Sequence, residues 1–153
     1  MNAVLLSVHV LAAIVAVGPV CVAASMFPPE ARRALADPQE VGRLAVLARV
    51  CRTYALVGIA VPVFGLATAS SMGVLTEAWV LVSIVLTLAA VVVLAVGVLP
   101  RQRTLLGAVT GEVPHPSPAT LVGGLAGTTG VFNLLWATVT VLMILRPGST
   151  TGV

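Results

Sequence analysis

Residues 3–27 read AVLLSVHVLAAIVAVGPVCVAASMF, a run with one ionisable side chain, His9. A helix needs about 20 consecutive apolar residues to cross a hydrocarbon layer of roughly 30 Å. The run Ala3–Phe27 meets that length. It is too long and too uniformly apolar for an alternating strand of a membrane barrel. It also lacks a basic leading segment, and its apolar part exceeds the roughly 7–15 residues usual in a signal peptide. A helix of the mature protein is therefore expected. Gly18-Pro19 should bend it, and Phe27-Pro28-Pro29 should end it, because proline cannot donate a backbone hydrogen bond.

Three further runs have the same character: Thr53–Met72, Trp79–Leu99 and Leu121–Leu145. Of the 153 residues, 59% are hydrophobic and 8% are charged. A soluble domain carries about 25% charged residues, so lipid must be the solvent for much of this surface. The expected fold is all-α, a four-transmembrane-helix bundle forming one membrane domain over 1–153. Its helices should cover about 3–27, 38–72 (membrane part from about 53), 79–99 and 121–145.

Between the first two runs lies the polar centre of the chain, with Glu30, Arg32, Arg33, Asp37, Glu40, Arg43, Arg49 and Arg52. Asp37-Pro38-Gln39-Glu40 reads as a helix start, with Asp37 as cap and Pro38 in the first turn. From there one helix should run to about Met72, roughly 50 Å at 1.5 Å per residue, so its first turns must leave the hydrocarbon. Pro62 should kink it, and Gly58, Gly65 and Ala69 share its face and permit close approach of a neighbour. Thr76 is the expected cap of the third helix, with Glu77 in its first turn. Ser83, Thr87, Ala90 and Gly97 form the face of that helix expected to turn inward. Ser117-Pro118 should start the fourth helix, and Arg146-Pro147-Gly148 should end it.

All eight basic residues are arginines, and the net charge is +3. Seven of them flank the first and third loops: Arg32, Arg33, Arg43, Arg49, Arg52, Arg101 and Arg103. Only Arg146 is on the other side. The positive-inside rule then places both termini and the second loop outside the cell. The same rule explains the charge as topology, not as a nucleic-acid footprint.

Candidate functional residues are few. An ionisable side chain inside the membrane is a functional hypothesis by default. Counted inward from the run ends, His9 can lie level with Trp136, with Asn133 nearby. His9 is then either a neutral imidazole bonded to Asn133, a threonine or a backbone carbonyl, or a ligand for haem or a metal, or a proton or substrate contact. Arg49 and Arg52 share a face at the inner interface, where they can anchor the helix or contact a lipid phosphate or another anion. Gly123, Gly127 and Gly130 form a small-residue stripe of the kind that packs helices in lipid, and Asn133 and Trp136 follow it. Cys21 and Cys51 show no paired spacing and read as packing residues. His115, in the third loop, cannot share a centre with His9. Copper would prefer cysteine or methionine, and those residues are scattered. The runs hold no Asp or Glu to couple protons to transport, and no HExxH or glycine-rich phosphate loop is present.

Three segments resemble a family of small bacterial predicted integral membrane proteins of unknown function. They are His9-Val10-Leu11-Ala12-Ala13 with Gly18, Trp79 to Leu99-Pro100-Arg101-Gln102-Arg103, and Leu142-Met143-Ile144-Leu145-Arg146-Pro147-Gly148. More distantly, the chain resembles the membrane domain of copper-resistance protein D. The resemblance implies a four-helix bundle in a bacterial-type plasma membrane. The distant likeness implies a first-helix histidine associated with metal or haem, a role only His9 matches. Relatives often place an aromatic residue just before the glycine, where this chain has Val17.

Two functions follow as expectations. One is a non-catalytic subunit or scaffold of a membrane assembly, held to a second copy or a partner membrane subunit through its glycine faces. The alternative is a haem- or metal-binding redox module, or an enzyme acting on an apolar substrate near His9. No residue set specifies a catalytic mechanism.

Overall fold

The structure, a computed structural model, describes residues 2–112 and 117–149. His115, Pro114 and Pro116 lie outside the described residues. The described chain is all-α. Its helices are α1 (Asn2–Ala36), α2 (Val41–Val57), α3 (Ala60–Met72), α4 (Ala78–Val92), α5 (Leu99–Thr110) and α6 (Pro118–Leu145). A 3₁₀ turn, Pro38–Glu40, leads into α2, and a π-helical turn, Val93–Val98, joins α4 to α5. Among the described residues, four stretches are long and apolar enough to cross a membrane: Ala3–Ala36, Val41–Met72, Ala78–Thr110 and Pro118–Leu145.

The helix boundaries differ from expectation wherever proline was weighed alone. α1 does not end at Phe27 but continues through Pro28-Pro29 to Ala36. The two prolines withhold the N–H groups that would bond the carbonyls of Ala24 and Ser25. Packing overrides that loss, because Phe27, Pro28, Ala31 and Ala34 are all buried. The expected single helix from Pro38 to Met72 is interrupted at Gly58–Ile59, one turn before Pro62. With no N–H at Pro62, the Gly58 carbonyl instead accepts from Val61 at 3.0 Å.

The third span also runs past its expected end at Leu99, so Arg101 and Arg103 lie inside α5. Pro100 again explains the local geometry. It cannot donate to Val96, and the preceding turn widens so that Leu99 donates to Leu94, five residues back, the spacing of a π-turn. The N-cap of α4 is Glu77 and not Thr76, with no side-chain cap bond. Asp37 caps the 3₁₀ turn, with Gln39 N–H donating to its Oδ1 at 2.9 Å, whereas the N-cap of α2 itself is Glu40, without a side-chain cap bond.

α1 is the central element. It packs along both α2 and α3 and against α6, while α4 packs on α6 and α5 reaches back to α2. One apolar cluster, at the arginine-rich end, joins Ala24, Phe27, Leu44, Cys51, Val98, Leu105 and Leu125. A second joins Ala16, Val20, Val61, Ala90 and Phe132, with Trp136 packed beside it. Ser83 and Ala90 are buried, as expected for the inward face of the third span. The outer surface is apolar as well: Val96 is 72% exposed and Leu134 70%. Such an apolar surface suits contact with lipid or with another membrane helix, not with water.

Candidate functional site

His9 is held at the junction of α1 and α3. The residue is 8% exposed, and Nδ1 lies 2.9 Å from the Val61 carbonyl oxygen. A carbonyl can only accept, so Nδ1 is the nitrogen that donates in this bond. The ring lies directly on Gly65. A β-carbon there would stand 2.8 Å from His9 Cε1 and 3.2 Å from Nδ1. The glycine on the small face of the second span is thus the residue that admits the imidazole. Sequence reading marked Gly65 as a close-approach position but did not connect it with His9.

The expected level for His9, Asn133 and Trp136 is not the observed one. Asn133 Nδ2 donates to Ser25 Oγ at 2.9 Å. Ser25 is roughly 24 Å along α1 from His9 at 1.5 Å per residue. α1 and α6 run antiparallel, so His9 falls level with the C-terminal end of α6 or beyond it. Counting inward from the run ends assumed level ends, whereas α1 has 35 residues and α6 has 28. Trp136 packs with the second apolar cluster, between these two heights.

Three exposed arginines border one cleft at the other end. Arg49 and Arg52 of α2 and Arg103 of α5 line one cleft of about 190 Å³, with Ala45, Ala48 and Gln102 among its walls. None of the three has a hydrogen bond or ion pair among the described residues. The ion pairs there are local, Arg33 with Glu30 at 2.6 Å and Arg43 with Glu40 at 3.1 Å. Glu30, expected in a loop, lies within α1 and is 8% exposed. Gln102 was legible only as part of a resemblance. It is 1% exposed, its Nε2 is 3.4 Å from Cys51 Sγ, and its Oε1 has no hydrogen-bond partner. Nearby, Arg101 Nη1 donates to the Gly97 carbonyl at 2.9 Å and to Thr128 Oγ1 at 3.0 Å, tying the third span to α6.

The glycines divide into two kinds. Gly97 is filled by its neighbour: a β-carbon there would meet Thr128 Cγ2 at 2.5 Å. Gly123, Gly127 and Gly130 are exposed, and nothing lies within 4 Å of where their β-carbons would be.

The described donors form no multi-ligand metal cluster. Among the described residues no three His, Cys, Asp or Glu side chains converge. Cys21 and Cys51 are free, and Cys51 belongs to the apolar cluster at the arginine-rich end, away from His9. Among the described residues, haem or copper at His9 would find one protein ligand from this chain. What the His9 arrangement does chemically is join α1 to α3 by a buried hydrogen bond.

No curated protein and no solved structure matches the chain. The distant likeness to copper-resistance protein D thus has no counterpart among these comparisons. A family model described as "Predicted integral membrane protein (DUF2269)" matches residues 3–147. That match spans all four apolar helices, and the chain belongs to this family of integral membrane proteins.

Proposed function

We propose that the protein is a non-catalytic subunit or scaffold of a bacterial plasma-membrane assembly, built as one membrane domain with both termini outside the cell. The single observation supporting this is the contrast between its glycines. Gly65 and Gly97 are occupied within the chain by His9 and Thr128, whereas Gly123, Gly127 and Gly130 face outward with nothing against them. Helix association in lipid depends on close packing at small residues, since lipid offers no hydrophobic driving force between helices. A glycine stripe on α6 with no internal partner is therefore a surface for another transmembrane helix, from a second copy or a partner subunit. The orientation follows from seven arginines on one side and Arg146 on the other.

The test is extraction in a mild detergent followed by native mass spectrometry. A stable oligomer or a stoichiometric partner is expected, and Gly127→Leu should shift it to the single chain. A monodisperse monomer with no co-purifying protein would overturn the reading.

A further inference from the structure

The arginine cleft has a construction that topology does not require. Positions 45, 48, 49 and 52 of α2 and 99, 102, 103 and 106 of α5 line it. Each set follows the i, i+3, i+4, i+7 spacing of a single helix face. Two helix faces are thus dedicated to one space. The small Ala45 and Ala48 keep it open, and Arg49, Arg52 and Arg103 supply its charge. The positive-inside rule asks only for cations near the helix ends, and lysine would serve it equally. It does not ask three guanidinium groups from two helices to share a cleft without a carboxylate.

We propose that Arg49, Arg52 and Arg103 form a phosphate-binding site, with the buried amide of Gln102 as its neutral polar wall. Guanidinium groups bind phosphate oxygens through paired, charge-assisted hydrogen bonds, which a lysine cannot reproduce. Basic clefts between transmembrane helices are also where phospholipid headgroups bind. Gln102 adds a group of the opposite kind. Gln102 lines the cleft, and its Oε1 is buried without a partner, so a rotation of the amide toward the cleft would let it accept from a hydroxyl on the phosphate or on its alcohol. Alternatively, its amide turns to present Nε2 to a phosphate oxygen while the Cys51 thiol donates to Oε1. The two amide orientations exchange only N and O. The ligand chemistry is a phosphate mono- or diester, either a phospholipid headgroup or a soluble phosphate compound.

The experiment uses the full chain, exchanged in detergent until free of bound phosphorus. Phosphatidylglycerol and diacylglycerol are titrated by native mass spectrometry, and inorganic phosphate and glycerol 3-phosphate by calorimetry. The control is Arg49→Lys/Arg52→Lys/Arg103→Lys, which keeps every charge and so preserves insertion. One phosphatidylglycerol per chain is expected, with no diacylglycerol adduct and at least tenfold weaker binding in the lysine variant. Phosphatidylglycerol binding without the soluble anions assigns the site to a lipid headgroup. Binding of the soluble anions as well assigns it to free phosphate compounds. If no phosphate probe saturates, or the lysine variant binds within twofold of the wild type, the proposal fails. If the triple variant is not monodisperse, Arg103→Gln replaces it, with a threefold loss expected and an unchanged affinity overturning the proposal.

Discussion

The His9 imidazole and the Gly65 α-carbon are in direct contact: a β-carbon at 65 would stand 2.8 Å from His9 Cε1. Contact and hydrogen bond reinforce each other, since the same ring bonds the Val61 carbonyl one turn earlier on α3. Gly65→Ala should therefore destabilise the fold by about 1–3 kcal/mol, the usual cost of overpacking. His9→Ala should cost about 1 kcal/mol through the lost interhelical bond. In the double variant the Gly65→Ala penalty should largely disappear, because the clashing atom is gone. Thermal unfolding in detergent of the four proteins closes this cycle, and simple additivity would refute the contact.

Gly97 and Thr128 make a second such pair. Gly97→Ala meets Thr128 Cγ2 at 2.5 Å, so it should destabilise by a similar ~1–3 kcal/mol. Thr128→Ser removes that methyl but keeps the hydroxyl that accepts from Arg101. Adding Thr128→Ser to Gly97→Ala should recover most of the lost stability, as read by melting temperature. Thr128→Val, which keeps the bulk and removes the hydroxyl, should not.

The stripe on α6 should behave in the opposite way. Gly127 has open space beside it, so Gly127→Leu should leave the stability of the isolated chain unchanged or raise it by up to about 1 kcal/mol, since glycine is the poorer helix former. Association should fall in the same variant. Loss of folding in parallel with association would mean the glycine is needed inside the chain.

Asn133 and Ser25 should count for little individually. Hydrogen bonds between membrane helices contribute about 0.6 kcal/mol on average and up to about 1.7. Asn133→Ala and Ser25→Ala should each lower stability by about that amount, and the double variant should lose no more than the larger single one. A melting series distinguishes this from independent effects.

The orientation can be read by labelling. In a cysteine-free background, Leu75→Cys in the second loop and Asp37→Cys in the first provide exposed single thiols. A membrane-impermeant maleimide applied to intact cells should label position 75 and not position 37. The reverse pattern would invert the topology.

Four spans were legible in the sequence because lipid imposes a length and a polarity on each segment independently of its neighbours. Ala3–Phe27 could be read alone, as could the inward face with Ser83 and Ala90. Proline was less legible. Its effect on α1 depended on whether Phe27, Pro28 and Ala31 had partners to pack against, and Pro28-Pro29 by themselves do not say so. The π-turn before Pro100 is a similar case, where the missing donor was visible and the local response was not.

The candidate sites separate along the same line. Residue type and spacing alone singled out His9, the arginines and the glycine stripe of α6, because an imidazole in lipid, a charge at a helix end and a GxxxG pattern are each unusual locally. Which residues meet depended on the relative heights and rotations of helices distant in sequence, to which apolar runs are nearly indifferent. Packing placed His9 on Gly65 and Val61 and matched Asn133 to Ser25. It set Arg103 beside Arg49 and Arg52 and left Gly123, Gly127 and Gly130 uncovered. The sequence by itself determined the number of spans and their polar ends. Only the tertiary structure decided which small residues are filled from within the chain and which remain open, because van der Waals fit between particular side chains, and not hydrophobicity, sets helix register in a membrane.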